Sequence, residues 1–210
     1  FFRDKKLSFN SNGYLKFKPF FKTKLSTEIN DIDINILKNL DNKNILNSKD
    51  LIKKINTEKK IEYTAKKFKK SIIKDLKIES NLAYGRLNIF KDFSTSASRI
   101  LCKSNVNLFD EYPVMYFNCT FNSSNKKEFL KQLDIKYKKK NEYIKIKMTG
   151  NLNIINKKIN FEKLEVNNDY KATQEDLNFF KISFEEILFD GGFLKIFDIT
   201  KIKKFIKEVT

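Results

Sequence analysis

The stretch YIKIKMTGNLNI, Tyr143 to Ile154, constrains the fold of this chain more than any other. Ile144, Ile146 and Met148 alternate with Lys145, Lys147 and Thr149. A period of two places successive side chains on opposite sides of a strand, so one face is dry and the other wet. The same alternation recurs. Leu76, Ile78, Leu82 and Tyr84 interleave with Lys77, Glu79, Asn81 and Ala83, and Met115, Phe117, Cys119 and Phe121 share one parity. Further strands are expected at Arg86–Phe90, Ser98–Leu108, Val114–Phe121, Ile135–Tyr137 and Ile159–Val166. Asn167–Tyr170 is expected to close the β region.

Upstream, Leu15, Phe17, Phe21 and Leu25 share a parity against Lys16, Lys18, Lys22 and Lys24, which predicts a strand over Tyr14–Leu25. Pro19 lies inside it and lacks a ladder donor, so an edge or a bend is expected there. Asn12-Gly13 reads as a turn joining this strand to another at Lys6–Phe9. Lys59–Lys70, interrupted by Ile61, Tyr63 and Phe68, reads as a further strand with one exposed face.

The period changes in three places. Ile36, Leu37 and Leu40, then Leu51, Ile52 and Ile55 behind Ser48 as N-cap, predict two short helices separated by a loop near Asn42–Asn47. Asn125 with Glu128 has capping-box spacing ahead of Phe129, Leu130 and Leu133. Thr173 caps a helix whose Leu177, Phe180, Phe184, Ile187 and Leu188 fall on one face, and Asp190-Gly191-Gly192 stops it. Ile202, Phe205, Ile206 and Val209 then mark a second amphipathic helix, Lys201 to Val209. Packing on the sheet is its plain role; plugging a groove end or lying on a membrane surface is the functional alternative.

A sheet with an apolar face must bury it against something. Between roughly Ile72 and Val166 there are about seven strands and one short helix. Helices are about 10 Å across and strands about 4.8 Å apart, so terminal helices cover only two or three strands each. The rest of the face must pack on a second sheet, close into a barrel, or curl into a trough that holds apolar ligand. Composition alone favours a sandwich or barrel, because large exposed apolar patches are uncommon on soluble monomers.

Composition bounds the function. The chain has 210 residues, 40% of them apolar and 21 of them Phe, enough to build a core. Net charge is +17, but Lys, Asn and Ile are in joint excess, as AT-rich coding produces, so charge alone says little about partners. There is no histidine, which removes Ser-His-Asp and Cys-His chemistry within the chain and the commonest zinc ligand. Asp31 with Asp33 and Glu185 with Glu186 read as solvated acids at a helix junction and on a helix flank. Gly191-Gly192 follows a helix and is no phosphate loop. The chain is expected to be non-catalytic, without metal or cofactor. Cys102 and Cys119 have no metal-site spacing and are either two buried thiols or one disulfide of an oxidising compartment. Interleaved lysines and aromatics such as KFKPFFKTK, Lys16–Lys24, raise nucleic-acid binding. Against it, lysine alternates along nearly every strand and arginine occurs only at Arg3, Arg86 and Arg99.

The run from Gly150 to Val209, beginning GNLNIINKKINFEKLEV, together with ESNLAYGRLNI (Glu79–Ile89) and DLIKKINTEKK (Asp50–Lys60), resembles the C-terminal region of AsmA-like proteins. That resemblance spans roughly Asn35 to Val209. It implies kinship with bridge-like lipid-transfer proteins, which have long curled sheets with an apolar inner groove. They hang from the bacterial inner membrane by an N-terminal anchor and serve phospholipid transport and outer-membrane biogenesis. The chain opens on Phe1 and shows no such anchor, so it is expected to be a fragment of a longer, membrane-anchored protein on the periplasmic side.

The combined expectation is an α+β, mainly β fold. A curled, largely antiparallel sheet forms a groove, with short helices after the first strands and two amphipathic helices at the C-terminus. Residues 1–172 make the sheet module, with a helical insertion at about 34–56, and 173–210 make a helical cap. The groove is expected to hold phospholipid or another acyl lipid against Leu76, Ile78, Leu82, Met115, Phe117, Phe121, Ile144, Ile146, Met148, Leu152 and Ile154. The alternatives are a basic nucleic-acid-binding protein or a structural β-scaffold with a closed core.

Overall fold

The computed structural model describes residues 1–3, 7–18, 21–32, 49–65, 73–138, 140, 142–189 and 198–208. Its strands are β1 (Phe2–Arg3), β2 (Leu7–Lys16), β3 (Phe21–Ile32), β4 (Ile55–Thr64), β5 (Asp75–Ala83), β6 (Arg86–Ser94), β7 (Ser98–Asn107), β8 (Val114–Ser123), β9 (Ile144–Asn153), β10 (Lys158–Val166) and β11 (Tyr170–Lys171). The helices are α1 (Lys49–Lys54), α2 (Lys126–Gln132), α3 (Gln174–Leu188) and α4 (Ile199–Glu208).

All eleven strands form one sheet in strict chain order, β1 to β11. The order never returns to its start, so the sheet is open, neither a barrel nor a sandwich. Every described neighbour pair is antiparallel except β3 with β4, which run parallel. A parallel pair needs a crossover, and α1 is its described part, leading directly into β4.

Several sequence expectations change here. Asn12-Gly13 is no turn: β2 runs unbroken through it, and Gly13 pairs with Leu25. The glycine is required by close approach instead, because a Cβ there would sit 2.0 Å from the Lys24 carbonyl oxygen. The reversal comes later, between Lys16 and Phe21, so Tyr14–Leu25 is divided between β2 and β3. Ile55 starts a strand instead of ending a helix. Tyr84 leaves β5 for a tight turn with Gly85, both at positive φ (49° and 75°), as in the type I′ connection of a two-residue hairpin. Ile135–Tyr137 forms no strand. Pro19, the helix expected at Ile36–Leu40, the Asn42–Asn47 loop, Ser48, Lys66–Lys70, the Asp190-Gly191-Gly192 stop and Val209 lie outside the described residues.

Two caps appear where the spacing placed them. Asn125 Oδ1 accepts from the Glu128 amide at 2.8 Å, but the box is only half made, because the Glu128 carboxylate takes the Ser96 hydroxyl instead (3.0 Å). At α3 the box is complete: Thr173 Oγ1 accepts from the Asp176 amide, and the Asp176 carboxylate accepts from the Thr173 amide. Tyr170 and Thr173 also donate their hydroxyls to the Asp176 carboxylate. These three donors hold the Asp176 carboxyl below its usual range, the Tyr170 hydroxyl first.

Candidate functional site

Partners directly opposite in a ladder share a face, so the register can be read across the sheet one row at a time. One row runs Ile61, Ile78, Lys91, Cys102, Cys119, Met148, Leu164 from β4 to β10. The next runs Tyr63, Leu76, Phe93, Ile100, Phe121, Ile146, Val166. A third runs Thr57, Leu82, Leu87, Val106, Met115, Leu152, Ile159. The alternations that looked like independent strands therefore merge into one apolar face. All the expected groove residues lie on it except Ile154, which follows β9.

Helices cover part of this face. Leu177 of α3 and Phe189 just beyond it are buried with Leu152, Ile159, Phe161 and Leu164, and Met115, Phe117, Ile146 and Met148 pack against that cluster. Phe184 sits edge-on to Phe161, Phe189 and Phe205, and the last of these seats α4 on α3. Ile52 of α1 is buried with Val106 and Leu108, and Leu82 and Ile154 pack on them. Phe129 of α2 lies 5.0 Å from the buried Phe121. Of the expected lining set, Leu82, Met115, Phe117, Phe121, Ile146, Met148, Leu152 and Ile154 thus belong to protein core. Leu76, Ile78 and Ile144 lie outside these clusters. Across β3–β7 the half-buried Ile29, Ile61, Leu76, Ile78, Ile89, Phe93 and Ile100 continue the apolar face. Among the described residues no helix is clustered over them.

Cys102 and Cys119 are opposite one another on β7 and β8, with Cα atoms 4.1 Å apart, and form a disulfide on this face. Of the two states open from sequence, the structure contains the bonded one.

The opposite face is polar, and many of its charges pair within it. Lys24 and Lys22 reach Glu58, Lys60 reaches Glu62, Lys77 reaches Glu79, and Lys163 reaches Glu165. Arg99 grips Asp92 through Nε (2.9 Å) and Nη2 (2.6 Å), and this bidentate contact holds the Asp92 carboxyl below its ordinary range. Glu58 is lowered chiefly by its hydrogen bond from Lys24. A shallow cleft of about 1020 Å³ crosses this side, with Lys24, Glu58, Glu79, Asn88, Lys103 and Tyr116 among its lining. Phe117 alone of the expected groove residues borders it. Beside it a cleft of about 550 Å³ is bordered by Glu62, Lys77, Asp92 and Arg99.

Glu185 is not a solvated acid. Its carboxylate accepts from Lys158 Nζ (2.8 Å) and from the Ile159 amide (3.0 Å), which pins α3 to the start of β10. Glu186 is exposed. Among the described residues no group of His, Cys, Asp and Glu side chains could hold a metal, and no helix is long and apolar enough to cross a membrane.

These features define a class: an open, mainly antiparallel sheet with one polar face and one apolar face partly roofed by helices. No family model, curated protein or solved structure matches the chain.

Proposed function

We propose that this chain is a non-catalytic lipid-binding and transfer module of an AsmA-like protein, acting in outer-membrane biogenesis on the periplasmic side of the inner membrane. The observation that carries this reading is the run of half-buried Ile29, Ile61, Leu76, Ile78, Ile89, Phe93 and Ile100 across β3–β7, none of which belongs to the clusters that the described helices build; α1 covers only the Leu82, Leu87 and Val106 end of these strands. An acyl chain laid there would gain about 0.8 kcal/mol for each methylene removed from water. The disulfide agrees with an oxidising compartment. The sequence likeness of Gly150–Val209 to AsmA-like C-termini supports the family assignment. The groove lies, in this proposal, toward β3–β7 and not over β8–β10, where α3 already occupies the surface.

Nucleic-acid binding is disfavoured by the polar face itself. Lys22, Lys24, Lys60, Lys77 and Lys163 already pair with carboxylates on the same face, so a polyanion would meet built-in competitors there.

The test is native extraction of the purified chain followed by mass spectrometry. Co-purifying phospholipid or fatty acid supports the proposal. Recovery of nucleic acid alone favours the basic-protein alternative, and recovery of nothing favours a structural β-scaffold.

A further inference from the structure

Two lysines break the apolar face. From β2 to β10 every strand-borne lysine has the polar parity except Lys59 and Lys91, and from β4 to β10 no Asp or Glu has the apolar parity. On β4–β10 the only charges of the apolar parity are therefore these two cations, whereas the opposite face carries both signs. Both are exposed as residues, and Lys91 has apolar or sulfur-bearing neighbours on every side within the face. Ile78 and Cys102 stand opposite it on the two neighbouring strands, and Ile89 and Phe93 flank it along its own.

Lys91 is exposed as a residue, yet enough protein surrounds its amine that desolvation holds it below the ordinary lysine range. Among the described residues no neighbouring charge or hydrogen bond contributes to this shift. A cation ringed by apolar groups is costly to keep without a counter-charge, and the described residues supply none.

We infer that Lys91 anchors the headgroup of a single-chain anionic amphiphile of the fatty-acid class, whose chain lies along Ile61, Ile78, Ile89 and Phe93. This rests on the lipid-holding reading above and narrows its ligand. One ammonium matches one negative charge, and a carboxylate leaves no second charge stranded among apolar neighbours.

The experiment compares laurate with dodecanol, equal chains with and without the charge, by titration calorimetry on the full chain below their aggregation limits. Laurate is expected to bind at least about tenfold more tightly, the size of one charge-assisted hydrogen bond. Lys91→Met should bring laurate to the dodecanol level and leave dodecanol unchanged, and Lys91→Arg should keep most of the preference. Circular dichroism of each variant establishes that the sheet is intact. A laurate preference that survives in Lys91→Met, or is missing from the wild type, overturns the anchor while leaving lipid binding in place; Lys91 would then simply extend to solvent. Failure of both amphiphiles to bind the wild type overturns the lipid-holding reading and the anchor together.

Discussion

At Gly150 the backbone of β9 passes under the Phe117 ring and beside β10, and the absent side chain is what permits it. A Cβ there would lie 2.2 Å from the Asn160 carbonyl oxygen and 2.8 Å from the Phe117 ring. Gly150→Ala should therefore cost about 1–3 kcal/mol by overpacking, read as a lower urea midpoint with an unchanged slope. Asp92 carries a different kind of dependence. Its side chain is 18% exposed and Arg99 lowers its pKa. A carboxylate depressed on folding contributes stability that is complete above its unfolded pKa of about 4 and is lost as pH falls through the folded value. Urea midpoints at pH 7 and pH 3 should fall further apart in the wild type than in Asp92→Asn. Equal falls would mean that the Arg99 contact adds nothing to the acid sensitivity.

Single elements owe their boundaries to local chemistry. The Thr173–Asp176 box starts α3, and Thr173→Ala should cost about 1 kcal/mol, measured by thermal unfolding. The Cys102–Cys119 bridge ties β7 to β8 across a sequence separation of 17. Loop closure of that length stabilises by about 3 kcal/mol, so dithiothreitol should lower the denaturation midpoint of the wild type and leave Cys102→Ser/Cys119→Ser unmoved. These elements differ in how visible they were beforehand. The α3 box is a contiguous signal and was legible. The β5–β6 turn was missed, because Tyr84-Gly85 lacks the Asn or Asp that usually announces a type I′ turn. Asn12-Gly13 misled in the other direction, since the same residues that favour turns also let a neighbouring backbone come close.

Among the described residues the apolar face divides into a part roofed by helices and a part that no described helix covers, and one substitution chemistry separates them. Ile146 packs against the α3 cluster, whereas among the described residues no helix is clustered over Ile78. Ile146→Lys should unfold the domain or lower its melting point sharply, because an unpaired buried charge is costly. Ile78→Lys should melt near the wild type and lose acyl-chain binding. Similar melting of both variants would mean that the face is covered, or open, throughout. Alternation with period two already assigns each strand residue to one of two faces from sequence alone, because the pleat leaves no other choice. The mainly β class, most strand positions and the capped helices follow from such local rules. Strand order, the parallel β3–β4 step, the open edges and the helix-covered area came only with the tertiary structure. They depend on register and on contacts between residues far apart in the chain. The same holds for Lys91: in sequence it is one lysine among many, and only its pairing with Ile78 and Cys102 puts it on the apolar side.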